Sequence, residues 1–137
     1  LISSNLFYNL YWSIKNHPHQ YIFFNFLSKN YSMKNFDLDW WGVSHKSSLE
    51  YILKNDTSTS IKVFAEGFTS LKDSYLYLNK TDKSRVIITG FEDAKYVINN
   101  NKKRIRNNIN LNTNDFELFY QLNIDGGNIT SIYKRKN

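Results

Sequence analysis

Phe116-Glu117-Leu118-Phe119-Tyr120-Gln121-Leu122-Asn123-Ile124, then Asp125-Gly126-Gly127, then Asn128-Ile129-Thr130-Ser131-Ile132-Tyr133-Lys134 is the stretch that decides the fold. Both arms are rich in aromatic and β-branched residues, and glycine at the junction tolerates positive φ. The pattern predicts an antiparallel hairpin. Moving toward the N-terminus, Asp93–Ile98 and Arg85–Thr89 are short apolar runs that read as strands, the second as a central one. Ile61–Ala65 alternates and reads as another strand, as does the aromatic run 20–27. Between them lie helical patterns. One covers Lys46–Lys54, with Ser44 as its expected N-cap and Leu49, Ile52 and Leu53 on one side. The other runs from a Thr69 or Ser70 cap to about Leu78. Residues 28–36, 55–60 and 99–114 read as loops or turns. Helices alternating with strands predict an α/β fold: a mixed sheet with parallel central strands, flanking helices and a C-terminal antiparallel hairpin.

Residues 1–16 form a separate amphipathic unit. Ile2, Leu6, Leu10 and Ile14 recur every four residues beside Phe7 and Tyr11, and Pro18 disfavours helix at His17. By its pattern this segment reads as a core-packing helix. Residues 17–137 read as a single α/β domain, long enough for a real core. The chain opens on Leu, which reads as a piece of a longer protein. An aromatic content of 17% argues against disorder, because each ring can bury a large area. No apolar run reaches the roughly 18–20 residues that cross a bilayer. With no cysteine, disulfides, thiolate catalysis and Cys-ligated zinc are excluded. The net charge of +6 fits nucleic acid, an anionic membrane surface, or an Asn- and Lys-rich composition inherited from the coding sequence. Lys102-Lys103-Arg104-Ile105-Arg106 lacks interleaved aromatics, so no nucleic-acid partner is expected.

Three constellations could carry chemistry. Asp37 and Asp39 form a D-x-D pair, which in nucleotide-sugar enzymes holds a divalent metal on a diphosphate. The same residues can simply cap backbone or pair with basic groups. His17 and His19 would point the same way if extended, with His45 as a third metal ligand; satisfied structural histidines are the alternative. Trp40 and Trp41 would face opposite ways, so Trp41 is expected in the core, with Trp40 left open as a platform for sugar or lipid. Ser44 and His45 are mere chain neighbours and make no dyad.

The runs His17-Pro18-His19-Gln20-Tyr21-Ile22-Phe23-Phe24-Asn25 and Phe36-Asp37-Leu38-Asp39-Trp40-Trp41-Gly42-Val43-Ser44-His45 carry a resemblance. Together with Tyr120, Leu122, Asp125, Gly126, Ile129, Ile132, Tyr133 and Lys134, they resemble the soluble C-terminal part of bacterial membrane glycosyltransferases of family 39, the protein O-mannosyltransferase-like group. His19 stands where that family has an aromatic residue, which weakens any shared metal site there; Trp40 stands where the family has Tyr. The resemblance implies a non-catalytic accessory domain on the extracytoplasmic, periplasmic face, beside a membrane-spanning part that uses a lipid-phosphate sugar donor. No cofactor, metal or catalytic residue is assigned to this chain. The expected contacts with acceptor glycan are Trp40, Asp37, Asp39, His17 and Asn25. In the resembling family the position of residues 1–16 follows the last membrane helix, which implies a juxtamembrane connector as an equal alternative to core packing. With them, Lys102, Lys103, Arg104 and Arg106 are expected to face the membrane and its lipid headgroups. Two alternatives stand beside this reading. One is a freestanding small metal-dependent enzyme using Asp37 and Asp39; the other is a structural or protein-interaction module.

Overall fold

The computed structural model describes residues 2–24, 29–66, 69–100 and 114–136. Its centre is a five-stranded mixed sheet: β1 (Ile61–Glu66), β2 (Val86–Ile88), β3 (Tyr96–Asn99), β4 (Phe116–Ile124) and β5 (Gly127–Arg135), in the spatial order β2-β1-β3-β5-β4. β1 runs parallel to both β2 and β3, and β5 pairs antiparallel with β3 and with β4. The expected architecture of parallel central strands followed by a hairpin is the one observed. The hairpin turn is Asp125-Gly126, with φ of 56° and 88°. Two central residues at positive φ suit the right-handed twist of the arms. Gly127 already belongs to β5. A Cβ there would lie 2.5 Å from the Met33 sulfur, so glycine lets α2 (Lys29–Asn35) close over the hairpin.

The main core lies between one sheet face and α3 (Ser44–Asn55) with α4 (Leu71–Leu76). Leu49, Ile52 and Leu53 of α3 meet Ile61, Val63, Val86, Tyr96, Ile98 and Ile132 of the sheet. On the opposite face Phe64, Val97 and Tyr133 share one register row and pack with Phe91, Ala94 and Phe116. Arg135 ties that layer down, donating to the carbonyls of Ala94, Phe91 and Glu92. Helix α4 starts at Ser70, whose side chain accepts from Lys72 N. A further short helix α5 (Lys80–Arg85) starts at Asn79, which caps Asp82 N.

The N-terminal layer departs from expectation. Residues 20–22 form a 3-10 turn where a strand was predicted, because the aromatic side chains there serve separate partners rather than one sheet face. Residues 29–35, predicted irregular, form α2. A third cluster holds this layer to the hairpin: Trp12, Ile22, Ile124 and Ile129, with Phe24, Met33, Leu38 and Leu122. Trp12 lies on α1 (Ile2–Lys15) and donates its indole N–H to Asp125 at 2.9 Å, while Lys29 pairs with the same carboxylate at 3.0 Å. Burial alone would raise the Asp125 pKa, but these hydrogen bonds and the lysine charge outweigh it and hold the carboxyl below its ordinary value. The rest of α1 has little cover. Residues 4–11 are all exposed, among them Leu6, Phe7, Leu10 and Tyr11, as is Ile14.

Candidate functional site

The parallel strands place the site. The chain goes from β1 to β2 on one side and returns past β1 to β3 on the other, so the carboxyl ends of β1 and β3 flank a topological switch point. Such crevices are where open α/β sheets take ligands. Asn99 donates to Glu66 across these ends at 2.9 Å, and the adjacent Asn100 donates to the Asp39 carbonyl at 3.1 Å. The segment carrying Asp39, Trp40 and Trp41 is thereby fixed to the end of β3.

Asp39 is fully buried and organises the start of α3. Its carboxylate accepts from Val43 N at 2.9 Å, Ser44 N at 3.2 Å, the Ser44 hydroxyl, and the Tyr21 hydroxyl at 2.9 Å. A helix start presents unpaired N–H groups and a partial positive charge, and a carboxylate answers both. Ser44 was the expected cap. The structure gives that role to Asp39, five residues earlier, with Ser44 as its partner. Tyr21 donates its only proton to Asp39. His19 Nδ1, 3.1 Å from the Tyr21 oxygen, must then carry a proton and donate it. Burial lowers the His19 pKa, against the opposing pull of Asp39, and burial with the Asp39 charge raises that of Tyr21. The relay His19–Tyr21–Asp39 therefore sits neutral, neutral and acceptor.

The same turn sets the tryptophans. Gly42 N donates to the Asp39 carbonyl, and His45 N to the Gly42 carbonyl at 3.0 Å. Gly42 has φ of 67°, and a Cβ there would come within 2.2 Å of the Thr69 hydroxyl and 3.0 Å of His45 Nδ1. Only glycine fits. With Asp39 turned inward, Trp40 and Trp41 turn out, 43% and 74% exposed. The expectation that Trp41 packs in the core is thus wrong: the segment is a tight turn, not a strand, so alternation does not apply. Trp41 leans over a cleft of about 460 Å³ between α3 and α4, whose walls include His17, Lys46, Glu50, Asp73 and Tyr77. Tyr77 is 77% exposed. Gln20 donates to His17 Nδ1 at 2.7 Å and fixes that ring.

Of the expected contact residues, His17 lines this cleft and Asp39 lies buried behind it. Asp37 is half-buried outside its lining, and Trp40 is exposed but does not line it. Asn25 and the basic residues Lys102, Lys103, Arg104 and Arg106 lie outside the described residues. Both Asp39 oxygens are engaged by protein donors, so Asp39 is committed to the start of α3. Among the described residues no group of three or more His, Asp or Glu is placed to hold a metal, the His17/His19/His45 trio included. Sequence reasoning missed Tyr21, Lys46, Glu50, Asp73, Tyr77 and Asn100. Lys46 and Glu50 were legible only as polar residues of α3 flanking its Leu49 and Leu53 stripe; Asp73 and Tyr77 left no signal.

A second polar cluster is structural. Asp56, at the end of α3, accepts from Lys95 at 2.7 Å, Tyr96 at 2.9 Å and Ser58 N at 2.9 Å. Burial would raise its pKa, but these donors pull it well below the ordinary carboxylate range. Arg85 donates to the carbonyls of Leu53, Asp56 and Ser58, completing the last turn of α3.

Comparison with protein-family models, with curated proteins and with solved structures finds no match.

Proposed function

We propose that this chain is a non-catalytic domain attached to the extracytoplasmic face of a bacterial membrane glycosyltransferase, held there by α1. The observation that carries the reading is the state of α1. Its fourteen residues make a rod about 21 Å long. Trp12 is the buried apolar anchor, while Leu6, Phe7, Tyr8, Leu10, Tyr11 and Ile14 are each more than half exposed. Helices of this length are marginal in water without tertiary cover. Apolar residues on several sides suit a helix surrounded by lipid or by membrane-spanning protein. Tyr at such positions suits the membrane–water interface. No described helix is itself long and apolar enough to cross a membrane. The resemblance of residues 17–25, 36–45 and 120–134 to family 39 enzymes supplies the glycosyltransferase and periplasmic setting.

The non-catalytic part of the proposal is supported by what three carboxylates do, Asp39 and Asp56 buried and Asp125 on the exposed hairpin turn. Asp39 starts α3, Asp56 ends it and Asp125 anchors α1. Asp56 and Asp125 have lowered pKa values, far from the near-neutral range suited to proton transfer. Purified chain incubated with nucleotide sugars or a polyprenyl-phosphate sugar therefore transfers nothing; turnover abolished by Asp39→Asn would overturn this part. Attachment is tested by flotation with phosphatidylcholine vesicles. The chain floats, and Leu6→Ser with Leu10→Ser and Ile14→Ser leaves it at the bottom. A parent chain that stays in the bottom fraction overturns the anchoring role of α1.

A further inference from the structure

We propose that the cleft between α3 and α4 is a carbohydrate site, with Trp41 as its stacking platform and Glu50 and Asp73 as acceptors for sugar hydroxyls. The inference rests on the glycosyltransferase reading for its setting only; the chemistry of the cleft stands by itself.

Three features of the cleft point to a neutral, hydroxyl-rich ligand. The first is the posture of Trp41. Its backbone is locked by the Asp39 carboxylate, the Asp39–Gly42 turn and the left-handed Gly42, so the exposed indole is held on a rigid support. A large aromatic side chain 74% exposed gains little from folding. The same backbone would accept a polar residue there. An indole face fits the C–H face of a pyranose, and a preformed platform needs no ordering on binding. The second is Tyr77, equally exposed and lining the same cleft, which offers a ring face and a hydroxyl. The third is the polar lining. Glu50 and Asp73 are exposed carboxylates with free access to solvent-facing donors, and each oxygen pair can accept from vicinal hydroxyls. The Lys46–Glu50 contact, 3.5 Å with both side chains about half exposed, is a surface pair of small value that a hydroxyl can displace. Two carboxylates against one lysine also disfavour phosphorylated or acidic sugars. A volume of about 460 Å³ accommodates one to two sugar rings.

The test is a ¹H–¹⁵N titration of the whole chain with α-linked mannobiose, maltotriose and chitobiose as neutral probes, and sialyllactose as an anionic one. At least one neutral probe binds with Kd near 1 mM or tighter. Shifts centre on the Trp41 indole and on the amides of Gly42, Lys46, Ser47 and Tyr77. Trp41→Ala weakens binding about tenfold or more, as does Glu50→Gln combined with Asp73→Asn, while Trp40→Ala changes it less than about twofold. Because all these side chains point outward, unchanged thermal midpoints verify that the variants are folded. Absence of shifts with every neutral probe at about 10 mM overturns the proposal. So does binding that survives Trp41→Ala and the double carboxylate change, or preference for the anionic probe. A chain that floats with vesicles but binds no sugar loses this inference and keeps its anchoring. A chain that binds sugar but ignores vesicles does the reverse.

Discussion

The sheet and the corner at the start of α3 obey opposite burial rules. In the sheet, Ile61, Val63, Ile98 and Ile132 are fully enclosed and charged residues such as Lys62 and Glu117 stay outside. In the corner, Asp39, His45, Ser44, Ser48 and His19 are buried, while Trp40 and Trp41 are exposed. The sheet satisfies its backbone by strand pairing and is free to bury aliphatic side chains. The corner must satisfy the open N–H groups of a helix start, so it draws polar atoms inward, and the tryptophans are displaced to the surface. The difference teaches that composition alone does not say which way a segment faces. A segment rich in tryptophan can be a polar interior with an aromatic exterior.

The largest test of that contrast is Asp39→Ala. It removes the acceptor for the Val43 and Ser44 amides and strands the Tyr21 and Ser44 hydroxyls, and is expected to cost about 4 kcal/mol. In the sheet, Ile98→Ala opens a cavity and is expected to cost about 3 kcal/mol. Urea unfolding measures both. If the Ile98 change costs far more than the Asp39 change, the corner is held by its aromatic contacts and not by its carboxylate. Gly42→Ala comes next, at about 2–3 kcal/mol, since it combines positive φ with a clash against Thr69. A neutral outcome would mean the Thr69 region gives way easily and the turn is not rigid.

Acid separates the two regions more finely. His19 has its pKa lowered from 6.5 chiefly by burial, so the unfolded chain takes up a proton first. The stability linked to it is complete above about pH 6.5 and falls as pH drops toward the folded value. Asp56 and Asp125 are lowered from 3.8, so their contribution is complete above that value and is lost only as pH falls below it. Urea midpoints at about pH 7.5 and about pH 5.5 should therefore differ in the parent chain and converge in His19→Gln, with a second loss below about pH 4 in both. A pH-independent midpoint between those first two values would place His19 in a less confined site. The smallest effect belongs to Trp41→Ala, at less than about 0.5 kcal/mol by urea unfolding. A loss of several kcal/mol would mean the indole is covered and would remove it from any contact role.

Much of the sheet was legible because its signals are local. The positive-φ turn at Asp125-Gly126 and the alternation in Ile61–Ala65 are local, and period two tells one face from the other. The apolar run Val86–Ile88 is a strand as expected, but it lies at the sheet edge and not in the centre, with Ile87 exposed, because a short apolar run says nothing of its neighbours. The Leu49, Ile52 and Leu53 stripe of α3 was legible for the same reason, and the α4 cap was narrowed to Thr69 or Ser70, of which Ser70 serves. The corner was not, because its logic is long-range. Asp39 is oriented by Tyr21, eighteen residues before it, and by Asn100, sixty-one after it. No spacing rule relates those positions.

The sequence by itself determined the α/β class, the parallel centre and the C-terminal hairpin, since backbone pairing and hydrophobic periodicity act over a few residues. It also marked 17–45 as the unusual region, through aromatic, His and Asp density. Only the tertiary structure decided that Asp39 faces in and Trp41 out, that Asp39 serves the start of α3, and that Asp73 of α4 and Tyr77 just after it line one cleft with Trp41. Those facts depend on α3 and α4 docking side by side on the sheet. Which polar group is buried there follows from which unpaired backbone groups the docking encloses.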